Sequence, residues 1–198
     1  MKKIALFLPA LCLALSLTSA KADTLQFVSS NGEIGPYNLN LNGSTLDLFC
    51  MNDQNFIQGG ETWNVNVVNG SSFFGSAPGS DGFKFEEEAY IYSLYDGSNA
   101  TDIQDALWTI FDPGTSNVDA NSPAMVLAAA NFGGFTSDFL SHTTFYIWDG
   151  SPVTNQYGDY APQNFIGTSP VPEPSTLALL GTGLVGIAGA ARRKFVRS

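Results

Sequence analysis

The sequence predicts an α+β fold: a strand-rich single ectodomain with two or three helices in the middle. Three observations lead there. Asn-Gly dipeptides, favoured at type I′ hairpin turns, fall at Asn31-Gly32, Asn42-Gly43 and Asn69-Gly70 and separate short apolar runs. Trp63-Asn64-Val65-Asn66-Val67 alternates apolar with polar residues, as a half-buried strand requires. Ile103, Ala106, Leu107, Ile110 and Phe111 recur at i, i+3, i+4, i+7 and i+8, the stripe of an amphipathic helix.

In chain order, residues 24–28, 37–41, 45–49 and 62–68 read as short strands, and the glycine- and serine-rich stretch 70–82 as a loop. Phe85, Ala89 and Tyr92 then fit a helical stripe. Glu86-Glu87-Glu88 suits the solvated start of that helix, where the dipole favours acids. Ser98, Asn99 or Thr101 supplies the cap of the next helix, Asp102 and Asp105 occupy its first turns, and Pro113-Gly114 stops it. A third helix is expected over 123–131, ended by Gly133-Gly134, while 135–139 fits either period. Residues 143–148 alternate like a strand and lead to a turn at Asp149-Gly150. Beyond that turn Gly, Pro, Asn and Gln dominate, giving irregular surface or a final short strand. The chain has no internal repeat.

Eight Lys and Arg stand against eighteen Asp and Glu, a formal charge of −10. The distribution is more lopsided than the total. From Asp23 to Pro170 seventeen acids face one base, Lys84. A nucleic-acid binder working by phosphate neutralisation is therefore excluded, as is adhesion of this region to bare anionic lipid.

The basic residues cluster at the two ends. Met1-Lys2-Lys3, an apolar core over 4–17 and Ala20-Lys21-Ala22 have the form of a secretory signal peptide, residues 1–22, cleaved before Asp23. That implies the Sec translocon and signal peptidase as partners. At the other end Val171-Pro172-Glu173-Pro174 precedes an apolar run over 177–191, closed by Arg192, Arg193 and Lys194 as a membrane stop. The run is shorter than the roughly 20 residues that span a bilayer unaided, and Ser175, Thr176 and the basic residues extend its reach to a transmembrane helix at about 175–192. Basic residues beyond the span place that end in the cytoplasm and the main domain, 23–169, outside.

This arrangement of motif, span and basic tail (residues 192–198) resembles the PEP-CTERM sorting signal of Gram-negative bacteria that make extracellular polysaccharide. The resemblance covers the segment 170–198, with Pro172-Glu173-Pro174 as its signature. It implies an exosortase-like membrane protease that cuts near the motif. It also implies a protein exported across the inner membrane, anchored transiently, and then held at the cell surface or in the extracellular matrix.

Chemistry-bearing motifs are few. His142 is the one histidine, so a several-imidazole metal site is impossible, and no nucleophile elbow, zinc-protease motif or phosphate loop occurs. No catalytic residue, metal or cofactor is assigned. Asp96, Ser98 and Asp102 alternate as calcium ligands do, but without the Gly and Glu spacing of an EF-hand, and helix capping accounts for them. Cys12 leaves with the signal peptide, which makes Cys50 the single cysteine of the mature chain. Such a cysteine is free, paired between chains or chemically committed.

Leu48-Phe49-Cys50-Met51, taken with Ile103-Gln104-Asp105-Ala106-Leu107-Trp108, is similar to the signature of thioester domains in bacterial surface adhesins. The resemblance implies that the Cys50 sulfur and the Gln104 side-chain carbonyl join with loss of ammonia, shielded by Phe49 and Trp108. A surface amine on a partner would open that thioester and become covalently attached. The plainer alternative is a reduced Cys50 packing as a small hydrophobe, with Gln104 on a helix shoulder.

Three functional classes follow. The first is an exported structural or adhesive protein of the surface or matrix, contacting surface amines or matrix polysaccharide. The second is a secreted hydrolase acting on matrix polysaccharide or protein, through paired carboxylates or Cys50 with His142. The third is an ice- or glycan-binding module, for which Thr143-Thr144 is the one hint. The sequence favours the first.

Overall fold

The computed structural model describes residues 22–168, apart from 31, 33, 54, 115–120 and 157. The expected signal peptide, Ala22 excepted, and the sorting segment with its expected transmembrane helix lie outside the described residues. Among the described residues no helix is long and apolar enough to cross a membrane.

Six strands close into an antiparallel barrel: β1 (Asp23–Ser29), β2 (Tyr37–Leu41), β3 (Ser44–Cys50), β4 (Thr62–Asn69), β5 (Thr144–Trp148) and, reached after the short β6 (Val153–Asn155) and β7 (Gly158–Tyr160), β8 (Phe165–Gly167). Around the barrel the order is β1-β2-β3-β8-β5-β4, and β4 pairs back onto β1. Closure removes the exposed edges that an open sheet would present. β6 and β7 form a separate hairpin. The helices lie between β4 and β5 in sequence: α1 (Asp81–Ser93), α2 (Ala100–Phe111), α3 (Ser122–Ala130) and the short α4 (Ser137–Ser141). The described residues thus form a β-barrel with four helices packed on it, the fourth only five residues long, where two or three were expected.

Local chemistry explains most of these elements. The β2–β3 hairpin turns on Asn42 at φ 52° and Gly43 at φ 102°, the paired positive angles of a type I′ turn. Asn69-Gly70 does something else. Asn69 is extended and caps a single 3-10 turn (Gly70–Phe73), its Oδ1 accepting from the Ser71 N–H and hydroxyl. Gly70 is required because a Cβ there would run into the Leu140 carbonyl, so this glycine serves a close approach and the chain moves on to the helices.

The acidic run is also placed differently from its expected position. Ser80 caps α1, its hydroxyl accepting from the Phe83 N–H at 3.2 Å, so Glu86-Glu87-Glu88 falls in mid-helix. Glu86 is buried and accepts from the Gly75 and Ser76 N–H groups; Glu88 is buried completely. Residues 135–139 resolve into the start of α4, capped by Thr136.

Two apolar clusters result. One fills the barrel and includes Leu25, Leu39, Leu48, Cys50, Trp63 and Tyr146. The other, including Phe49, Met51, Ile103, Leu107 and Phe145, lies between the barrel wall and the helices. Successive side chains on a strand point to opposite faces, so Phe49 belongs to the helix layer and Cys50 to the barrel interior. Trp108 reaches from α2 into the barrel cluster, beside Cys50.

Candidate functional site

Cys50 is the last residue of β3, opposite Phe165 of β8, and the pairing continues past it. The Met51 N–H donates to the Asn164 carbonyl at 3.0 Å and the Asn164 N–H to Asn52 Oδ1 at 2.9 Å, which fixes the turn that follows. α2 lies across this strand end. Gln104, Trp108 and Asp112 are spaced by four residues, so they line one stripe along the helix and its C-cap.

Each end of that stripe is tied down. The Cys50 N–H donates to Gln104 Oε1 at 3.2 Å, and Gln104 Nε2 donates to the Cys50 carbonyl at 2.6 Å. The Asp53 N–H donates to Asp112 Oδ2 at 2.9 Å. Gln104 and Cys50 are both fully buried, so the carboxamide is held by the peptide of the cysteine 54 residues away, out of reach of water. The structure therefore brings together Cys50, Gln104 and Trp108, with Phe49 adjacent. Gln104 lies deeper than the helix shoulder that its sequence position suggests.

Phe49 packs edge-on against Tyr92 of α1 and Tyr95 just beyond its C-cap, at centroid distances of 6.1 and 4.9 Å. On its other side is Gly35. A Cβ built there would lie 2.6 Å from Gln104 Oε1 and 2.7 Å from Phe49 Cδ1. Only a glycine lets the backbone cover this carboxamide, and no sequence pattern marks it, because the need arises from a contact with residues far along the chain.

The sulfur itself donates to the Asn52 carbonyl at 3.0 Å. Burial pushes its pKa up to about 12; the nearby Trp108 indole and the Asn52 backbone pull the other way, and the charges of Glu88 and Asp53 add to the rise. Trp108 Nε1 is close enough to act on the sulfur but outside hydrogen-bond geometry, so this buried N–H has no settled acceptor. A reduced Cys50 is therefore a protonated thiol at neutral pH. His142 stands exposed at the C-cap of α4 and takes no part in the hydrogen bonds of Cys50.

Glu88 is the second feature that the sequence conceals. It is fully buried, and among the described residues neither carboxyl oxygen has a hydrogen-bond partner. Burial holds its pKa well above the usual carboxylate value of 4.5, Glu87 and Asp112 add to the rise, and Lys84 opposes it. A carboxyl displaced upward binds its proton more tightly folded than unfolded. Stability is then greatest below about pH 4.5 as far as this group is concerned, and declines as pH climbs toward the folded pKa. Each unit of displacement corresponds to about 1.4 kcal/mol. Glu88→Gln is expected to remove this decline, raising the melting temperature at pH 7.5 by several degrees and leaving it nearly unchanged at pH 4, as scanning calorimetry would register.

Among the described residues no group of three or more His, Cys, Asp or Glu is placed to hold a metal. Asp96 instead accepts from the Ser98 N–H and hydroxyl, both at 2.8 Å, and Asp102 accepts from Asn121.

Residues 170–194 match the PEP-CTERM protein-sorting motif. The match takes in Val171-Pro172-Glu173-Pro174 and the closing Arg192, Arg193 and Lys194. The chain carries an exosortase-type export signal and is exported to the cell surface or extracellular space. A cysteine-to-alanine mutant of the N-terminal thioester domain of a surface protein from Clostridium perfringens is weakly similar in structure. Its TM-score is 0.42 at 14% identity, over 75% of this chain and 99% of the other. No curated protein matches the chain.

Proposed function

We propose that this exported surface protein attaches covalently to a primary amine on its partner, through a thioester between Cys50 Sγ and Gln104 Cδ. The observation that supports it most is the pair of hydrogen bonds that hold the buried Gln104 carboxamide on the peptide of Cys50. These bonds hold the carboxamide on the residue that carries the sulfur, and the Cys50 N–H donates to the oxygen where negative charge would develop during attack.

In the forming step the Sγ–Cδ bond is made and the Cδ–Nε2 bond breaks. The thiol proton leaves with the nitrogen as ammonia. In the capture step an amine nitrogen bonds to Cδ, the Cδ–Sγ bond breaks, and the proton shed by the amine returns to Cys50. Both steps balance without an oxidant or a cofactor. Phe49 and Trp108, both buried, keep water from the bond between the two steps. Secretion through Sec, transient anchoring in the inner membrane of a Gram-negative cell and cleavage near Pro172-Glu173-Pro174 would deliver the domain to the surface or matrix.

Methylamine tests the proposal. One methylamine per chain should be incorporated at Gln104, with one new thiol appearing at Cys50, and neither should occur in Cys50→Ala or Gln104→Ala. A chain that incorporates none, and whose Cys50 alkylates in denaturant as a free thiol, would overturn it. Deleting Pro172-Glu173-Pro174 should retain the chain in the membrane fraction, as cell fractionation would reveal.

A further inference from the structure

Among the described residues the β6–β7 hairpin pairs with no strand of the barrel. It stands instead against the loop that follows Cys50, and a pocket of about 280 Å³ lies between the two. Asn55, Phe56 and Gln58 line it from the loop, and Asn155, Asp159 and Tyr160 from the hairpin. Neither Cys50 nor Gln104 lines it, so this is a second site, independent of the thioester.

Both walls are held without a ligand. Glu61 ties them together, its Oε1 accepting from Asn155 Nδ2 and its Oε2 from the Gln58 N–H, each at 2.8 Å. Gln163 Nε2 donates to the Asn55 carbonyl, and Asn55 Nδ2 to the Pro162 carbonyl at 3.3 Å, which pins the loop to the segment before β8. Across the hairpin Thr154 Oγ1 donates to Asp159 Oδ1 at 2.6 Å and orients that carboxylate. Two groups are left over by this packing. Phe56 is 82% exposed, a large ring that the fold does not bury. The Tyr160 hydroxyl lies near Glu61 but outside hydrogen-bond geometry, and among the described residues it has no partner.

The lining selects a ligand class. It holds no lysine or arginine, and Lys84, the one base between Asp23 and Pro170, is paired with Asp81 on α1 at 3.5 Å. A phosphate or an acidic chain would therefore meet a carboxylate with no cation to offset it. A wholly apolar ligand would strip water from Gln58 and Asp159 and give them no partner in return. A small organic cation would engage Asp159 but leave the amides unused. A neutral sugar ring suits all of them, because each hydroxyl both donates and accepts, as amides and a carboxylate require, and its C–H face fits the negative face of an aromatic ring.

We infer that the pocket between the β6–β7 hairpin and the loop over 52–58 is a subsite for one neutral glycosyl unit of a polysaccharide. The sugar lies on Phe56, and Gln58 and Asp159 bond its hydroxyls. The volume is at the lower end of the range of about 300–1,000 Å³ found for small-ligand pockets, so one ring enters and the rest of the glycan stays outside. Because the walls are already tied by Glu61, little ordering opposes binding. An exported chain would thus hold a glycan without a covalent bond, whatever Cys50 does.

The test uses the full chain carrying Cys50→Ala, which cannot form a thioester, titrated by NMR with neutral hexasaccharides of glucose, galactose, mannose and N-acetylglucosamine. Hexagalacturonate serves as the acidic counterpart. At least one neutral hexasaccharide should bind saturably, and hexagalacturonate should not. Phe56→Ala should weaken that binding about tenfold, Phe56→Trp should restore it, and Gln58→Ala should weaken it about fivefold. Phe56 and Gln58 are both exposed, so these variants keep the fold. Phe74→Ala, which removes another exposed ring that does not line the pocket, should change nothing. No saturable binding of any neutral hexasaccharide, equal binding of hexagalacturonate, or affinity indifferent to both Phe56→Ala and Gln58→Ala would overturn the subsite. None of these results bears on the reaction of the parent chain with methylamine, and failure of that reaction leaves the subsite to be judged on the titration.

Discussion

Gln104→Ala is expected to abolish amine incorporation and, measured against chains whose thioester has not formed, to lower stability by roughly 2–6 kcal/mol, since it leaves two buried backbone groups without partners at about 1–3 kcal/mol each. The groups are the N–H and carbonyl of Cys50, which the carboxamide satisfies at 3.2 and 2.6 Å. Water cannot replace it while Cys50 and Gln104 stay fully buried. Chemical denaturation would measure the stability and intact mass the incorporation. Gln104→Glu makes the comparison sharper: it keeps the length of the side chain but puts a carboxyl where a donor is needed by the Cys50 carbonyl. It should lose incorporation and, against the same unreacted parent, stability. A variant that incorporated amine as the parent does would place the reactive carbonyl elsewhere.

Gly35→Ala is expected to be nearly as damaging, at about 1–3 kcal/mol for an added methyl in a filled site. The new Cβ would stand 2.6 Å from Gln104 Oε1 and 2.7 Å from Phe49 Cδ1. Gln104 cannot swing aside without giving up its bonds to Cys50, and Phe49 is confined by Tyr92 and Tyr95. The fraction of chains that take up amine should fall several-fold. Gly43→Ala separates this from a general glycine effect. Gly43 has a strained φ of 102° but nothing within 4 Å of a built Cβ, so its loss should cost about 1 kcal/mol and leave amine uptake intact.

The early strands are legible in the sequence because each is bounded by turn residues and carries its own period. Asn42-Gly43 names its turn type outright. β8 is legible only as the alternative of a final short strand, without its place, for it has three residues and its role is to bridge β3 and β5, partners far away in the chain. The acidic run misleads for a related reason. Three glutamates look like a solvated face until Ser80 is known to start the helix, after which the helical period turns Glu88 toward the core with Ile91. At the candidate site the contact of Cys50 with Gln104 follows from two short motifs, each local. Gly35, Asp112 and Glu88 owe their places to contacts made only once the barrel has closed and α2 lies across its end.

The thioester is tested most directly by the intact mass of the chain purified without reductant. The account predicts a mass one ammonia below that calculated for its termini, returning to one methylamine adduct when that amine is added, and the full calculated mass in Cys50→Ala. The full calculated mass in the parent, with Cys50 alkylated as a free thiol on unfolding, would contradict it.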